Sequence, residues 1–266
     1  MEKNILKKEE DFHDKWANSV NLDDVLVDEF FEACTSPENR QIMKWLGDVK
    51  GKKVLELGCG LGEASVYLAK KGAKVTATDL SGGMLKVAEK VAQKHQTYID
   101  TVKCSADSIP FEENSFDIVY AANILHHVDL EAVMRESSRV LKRGGYFVSW
   151  DPLAHNPVIN VYRKLASAVR TEDEHPLRMS DLEIYRKYFR KVRYDGKWFL
   201  TNLIFLKFFF VDRINPSEER YWKLILKDYK KLEKLYFRLE KWDRFLLKRF
   251  PFLKRYCWNI VVIAKK

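Results

Sequence analysis

Glu56-Leu-Gly58-Cys59-Gly60-Leu-Gly62 lies between the apolar run Lys53 to Leu57 and a helical run from Ala64 to Lys71. A strand feeding a glycine turn that opens a helix brings backbone N–H groups close to a ligand, because glycine has no Cβ to hold the ligand away. That geometry suits a nucleoside-type cofactor. Two related turns do not match. The dinucleotide fingerprint needs its third glycine one residue later, where this chain has Glu63, and the phosphate-cradling loop follows its last glycine with Lys-Ser/Thr.

Working outward, Ala73 to Thr78 reads as a second strand and ends in Asp79, about twenty residues after the turn, where a carboxylate can take both hydroxyls of a ribose. Thr101 to Cys104, Phe116 to Ala122 and Gly144 to Trp150 read as three more strands, Val192 to Trp198 as a sixth, and the apolar Trp258 to Ala264 as a buried seventh. Strands alternating with helical segments predict an α/β chain with a parallel, doubly wound sheet. Glycines at 58, 60 and 62 behind an acidic residue, with these spacings downstream, resemble motif I and its following segments in the class I S-adenosylmethionine-dependent methyltransferases of the small-molecule type. The resemblance covers about residues 50 to 152.

The resemblance implies a Rossmann-like, seven-stranded, mostly parallel sheet with helices on both faces and an antiparallel last strand beside the fifth. It also implies S-adenosyl-L-methionine as cofactor, S-adenosyl-L-homocysteine as its product, and roles for particular residues. Gly58, Cys59, Gly60 and Gly62 approach the methionine portion of the cofactor, and Glu56 reaches its amino group. Asp79 takes the ribose, Leu80 and Met84 flank the adenine, and Ala106, Asp107 and Ser108 read the adenine edge. Asn123 follows the fourth strand at the same crevice. Trp16, in Phe12-His13-Asp14-Lys-Trp16-Ala, belongs to an N-terminal segment that in related enzymes folds over the cofactor and excludes water. For Glu56 and Asp107 the bland alternative is a carboxylate that caps a helix or faces its dipole.

After the fourth strand, Tyr120-Ala-Ala-Asn123-Ile-Leu-His126-His127-Val lacks the Asn/Asp-Pro-Pro-Tyr/Phe of many amino-methylating enzymes. It resembles the Leu-His-His-Val of many small-molecule methyltransferases. Imidazole titrates near neutrality, so His126 or His127 is a candidate general base; the alternative is that one caps the next helix or packs. His155, in Asp151-Pro-Leu-Ala-His155-Asn-Pro157, is a third catalytic candidate at the crevice. The acidic loop Thr171 to His175 is more simply a solvated segment than a cation site, and no metal spacing appears.

The chain has 266 residues, 46% of them hydrophobic, enough for one sizeable core. Met1 to Asn18 is mixed in charge rather than a secretory leader. The longest apolar stretch, Leu203 to Val211, is broken by Lys207 and falls short of the roughly 20 residues a bilayer needs. Four cysteines without paired spacing read as reduced structural thiols, and the protein as cytoplasmic. From Arg186 onward the chain holds 23 Lys plus Arg against 8 Asp plus Glu.

The expected organisation is a helical lid over residues 1–48, a Rossmann-like core over 49–200 plus 257–266, and an aromatic, basic helical insertion over 201–256 before the last strand. Leu22 to Phe31 and Glu38 to Leu46 are expected helices, the second capped at Ser36-Pro37. Val158 to Arg170 is another, and Asn215 to Glu218 supplies a capping box for one long amphipathic helix running from Trp222 to Leu246.

The insertion admits three readings: a lid and core covering a bulky apolar substrate, peripheral contact with an anionic membrane surface, or a nucleic-acid surface, the last least favoured. The acceptor is then small or lipid-like and is methylated at oxygen or nitrogen. RNA or protein methylation, or a non-catalytic cofactor-binding subunit, are the alternatives.

Overall fold

The computed structural model describes residues 3–165, 175–215, 219 and 221–266. In chain order they form α1 (Lys3–Asn18), α2 (Glu29–Glu32), α3 (Pro37–Leu46), β1 (Lys53–Leu57), α4 (Glu63–Lys70), β2 (Lys74–Asp79), α5 (Gly82–Lys94), β3 (Asp100–Lys103) and β4 (Phe116–Ala122). There follow α6 (Leu130–Val140), β5 (Leu141–Pro152), α7 (Pro157–Leu165), α8 (Leu182–Tyr188), β6 (Lys191–Lys197), α9 (Leu203–Phe210), α10 (Tyr221–Lys227), α11 (Tyr229–Arg249) and β7 (Asn259–Lys265).

Seven strands make one sheet in the order β3-β2-β1-β4-β5-β7-β6. All neighbours are parallel except at β7, which runs antiparallel between β5 and β6. The expected mostly parallel sheet with an antiparallel last strand is present.

Alternation along the strands supplies two apolar faces. Val54, Val75, Ile118 and Val148 pack with Ile42, Val66 and Met84 of α3, α4 and α5, while Leu55, Val119, Phe147 and Val262 pack with Val133 and Met134 of α6 and with Leu182 and Tyr185 of α8. Each such buried aliphatic side chain stabilises the fold by about 1.5–3 kcal/mol. A third apolar cluster lies off the carboxyl end of the sheet, where Trp198, Ile204, Phe205, Phe208, Tyr221, Ile225 and Tyr236 gather on Cys34 and Ile159.

The structure corrects three local expectations. Residues 22–31 are not one helix but a 3-10 turn at Leu22–Asp24, an extended stretch and the short α2. Asn21 closes the turn by accepting from the Asp23 N–H, and Val25 and Val27, two residues apart, are both buried, a spacing of two that puts them on opposite sides of a helix. Ser36 does stand at the N-cap of α3, but its hydroxyl donates to the Phe30 carbonyl instead of capping the helix.

The long amphipathic helix is broken at Asp228. Thr35 Oγ1 donates to the Ile225 carbonyl at 2.6 Å and the Cys34 thiol approaches the Tyr229 carbonyl, so side chains from the segment after α2 enter the helical ladder there. Residues 166–170 of the expected helix after β5, the loop residues 171–174, and residues 216–218 of the expected capping box lie outside the described residues.

Candidate active site

Because the six parallel strands point the same way, their carboxyl ends share one rim, and a cavity of about 380 Å³ lies along it. Register brings β7 into the same rim: Asn259, its first residue, sits opposite both Pro152 of β5 and Lys197 of β6.

One half of the cavity is built by the turn after β1. Gly58, Gly60 and Gly62 all have positive φ, but their surroundings differ. A Cβ on Gly58 would stand 2.2 Å from Ile124 Cδ1, and one on Gly62 would stand 2.6 Å from Ala88 Cβ, where α4 crosses α5; beside Gly60 nothing lies within 4 Å. Gly60 is thus the glycine that leaves room for a ligand, and Gly62 serves helix packing.

Asp79, at the end of β2, accepts the Gly60 and Ser81 N–H groups, both at 2.9 Å. Each carboxylate oxygen keeps a second lone pair for a hydroxyl. Burial raises the Asp79 pKa, opposed by those backbone bonds. Glu56 is buried on β1 and accepts from Ser65 Oγ; loss of water pushes its pKa up to about 8. Glu63, in the slot where the dinucleotide fingerprint has glycine, is likewise pushed up to about 7 by burial.

Helix α1 covers this half. Asp14 accepts from Ser81 Oγ and from the Gly83 N–H at 2.9 Å, tying the helix to the start of α5. Phe12, His13 and Trp16 then face the cavity. The Lys223 ammonium of α10 lies 5.5 Å from the Trp16 ring centroid and 5.6 Å from that of Trp222, so α1 and the insertion meet over the opening.

The other half is walled by Phe30, Trp150, Ile159, Tyr162, Trp198, Trp222, Ile225, Leu226 and Trp258, with the buried Glu38–Asn259 pair, 2.7 Å apart, among them. Between the halves stands His126, 4% exposed, whose Nδ1 is 2.8 Å from Asp151 Oδ1. Asp151 is wholly buried, and burial raises its pKa far above the ordinary carboxylate range. The His127 ring lies tilted by 42° against that of His126, their centroids 4.1 Å apart, and approaches Glu9 of α1 at 3.8 Å. The cap of α6 is Asp129, not a histidine.

Of the residues singled out from sequence, Trp16, Glu56, Gly58, Cys59, Gly60, Asp79, Leu80, Ala106, Asn123, His126 and His127 line the cavity. Met84 is buried in the core between α5 and the sheet, Gly62 packs on Ala88, and Asp107, Ser108 and the exposed His155 lie off the cavity wall. Glu9, Glu38, Glu63 and Asn259 reach it without having been marked. Asp151, expected just after the fifth strand, lies within β5, which runs on to Pro152, and its pairing with His126 spans 25 residues and has no local signal. Among the described residues no three metal-ligating side chains come together. The four cysteines are free thiols, raised in pKa by burial.

Residues 55–149 match the family described as a methyltransferase domain. An uncharacterized methyltransferase of Synechocystis is 39% identical over 110 residues, 40% of this chain and 49% of that protein. Demethylmenaquinone methyltransferase of Staphylococcus aureus is 34% identical over 131 residues, 47% and 53% of the two chains. The chain spans about half the length of these curated relatives. The crystal structure of a SAM-dependent methyltransferase from Thermotoga maritima has the same fold, with a TM-score of 0.58 over 95% of this chain and 97% of that one, at 18% identity. Residues 55–149 are thus a methyltransferase domain of the class I S-adenosylmethionine-dependent type, and the chain around them has the fold of such enzymes. No helix among the described residues is long and apolar enough to cross a membrane.

Proposed function

We propose that the protein transfers the methyl group of S-adenosylmethionine to an oxygen or nitrogen of a small or lipid-like acceptor. The observation that carries this reading is one cavity with two unlike halves: a glycine turn and two carboxylates on one side, an aromatic wall on the other, and a buried His–Asp pair between them.

The residues present fit such a cofactor. Gly60 leaves its backbone open to the methionine portion, Glu56 offers a buried carboxylate to the ammonium, Asp79 has acceptor capacity for ribose hydroxyls, and Leu80 and Ala106 border the adenine end. When bound, the sulfonium supplies an activated methyl carbon. This chain's contribution is then alignment, exclusion of water by Trp16 and Trp222, and removal of the acceptor proton by His126, with Asp151 fixing the ring. The aromatic wall supports an apolar or lipid-like acceptor, and the relative acting on demethylmenaquinone supports the same class.

Incubation of the protein with methyl-labelled S-adenosylmethionine and an organic-solvent extract of cells should move label into an extractable product. His126→Asn should lower that rate about 10²- to 10⁴-fold while leaving S-adenosylhomocysteine affinity, measured by calorimetry, within about twofold. Absence of S-adenosylhomocysteine uptake by the wild-type protein would overturn the reading.

A further inference from the structure

We infer that the outward face of α11 and the turn after it dock the protein on an anionic lipid bilayer. Leu232, Tyr236, Asp243 and Leu247 turn inward. At 100° per residue, the three acidic residues of α11, Glu233, Glu240 and Asp243, all fall on that inward side or its flank. Its eight Lys and Arg occupy the remaining arc, and every one of them is exposed. The solvent face of this helix is therefore predominantly cationic: Glu233 is exposed at its flank, and Asp228 pairs with Lys231 at its amino end.

Aromatic side chains stand in the same arc. Arg238, Trp242, Phe245 and Arg249 share one side of the helix, with Trp242 56% and Phe245 58% exposed and their rings 6.1 Å apart, edge to face. Phe252, in the 3-10 turn Pro251–Tyr256, is 66% exposed just beyond the helix end. Large apolar rings held in water beside cations match a bilayer interface, where the rings enter the headgroup region and the cations meet lipid phosphates.

A second copy of the same face would set like charges together. Single-stranded nucleic acid stacks on rings laid in a groove, whereas these stand on a convex helix. The surface is also connected to the cavity: α10, joined to α11 at Asp228, carries Trp222, Ile225 and Leu226 of the aromatic wall. Delivery of a membrane-borne acceptor through this connection rests on the proposed activity. Docking itself does not.

The test is sedimentation of the full chain with phosphatidylcholine vesicles, with and without about a third phosphatidylglycerol. The wild-type protein should bind the anionic vesicles and not the neutral ones. Replacing Trp242, Phe245 and Phe252 together by Ala should weaken binding on the order of tenfold or more, and Arg238→Glu, Lys241→Glu and Arg249→Glu together by roughly a hundredfold or more. Both variants should keep the wild-type melting temperature and S-adenosylhomocysteine affinity.

Failure of the wild-type chain to sediment, or equal sedimentation of all three proteins, would overturn the proposal. So would a concentration-dependent dimer abolished by the aromatic variant, or retention on poly-uridine lost in both variants while vesicle binding is unchanged. None of these readouts uses methyl transfer, so a failed activity assay and a failed docking assay remain distinguishable.

Discussion

The two halves of the cavity are built at different distances along the chain. The glycine-turn side comes from the ends of two adjacent strands and the turn between strand and helix: Gly60 and Asp79 are 19 residues apart and joined by a hydrogen bond. The aromatic side draws Glu38 onto Asn259 across 221 residues, and Thr35 onto Ile225 across 190. Local geometry makes the first half a property of one supersecondary unit, whereas the second exists only when lid, core and insertion have closed on one another.

The sharpest way to break that division is at the glycines. Gly62→Ala should cost about 3 kcal/mol of stability, because its Cβ meets the Ala88 backbone at 2.9 Å and its φ is +88°. Gly60→Ala, with open space beside it, should cost only about 1 kcal/mol but weaken S-adenosylhomocysteine binding about tenfold by filling ligand room. Denaturant melts and calorimetry on both variants separate packing from contact; equal effects would dissolve the distinction.

Asp79→Ala should raise the dissociation constant of S-adenosylhomocysteine on the order of a hundredfold, as two charge-assisted hydrogen bonds are lost. An unchanged constant would remove Asp79 from the proposed cofactor contacts.

The smallest effect is a proton. Glu56 has an ordinary pKa of 4.5 and a folded value of about 8, so the free folded protein holds a proton that the unfolded chain has released. Its stabilising contribution is complete below pH 4.5 and is lost as pH rises to about 8. A bound ammonium favours the carboxylate, so S-adenosylhomocysteine uptake near pH 7 should release on the order of one proton from wild-type protein, and none from this site in Glu56→Gln. Calorimetry in buffers of different ionisation enthalpy reads the difference directly.

The same contrast of distances decides what could be read without coordinates. Six of the strands and the antiparallel seventh were legible because Lys53 to Leu57, Phe116 to Ala122 and their equivalents are apolar runs bounded by turns, and the turn after the first carries its own glycine spacing. His126 was legible as a candidate, yet its partner Asp151 was not, since β4 and β5 meet only through the sheet. Met84 looked like a ligand contact by position after Asp79, but α5 turns that side chain into the core. The interruption at Asp228 was hidden because it comes from Thr35 and Cys34, not from any proline or glycine in the helix.

The place of β7 has a consequence for biogenesis. On the ribosome, β6 is finished while the strand that will lie between it and β5 has yet to be made, so the nascent chain must carry β6 without a strand partner. Non-local closure of this kind is slow and leaves an open edge and uncovered aromatic surface in the meantime. Yield in cells should therefore respond to holdase chaperones and to growth temperature more than the finished protein's stability would suggest.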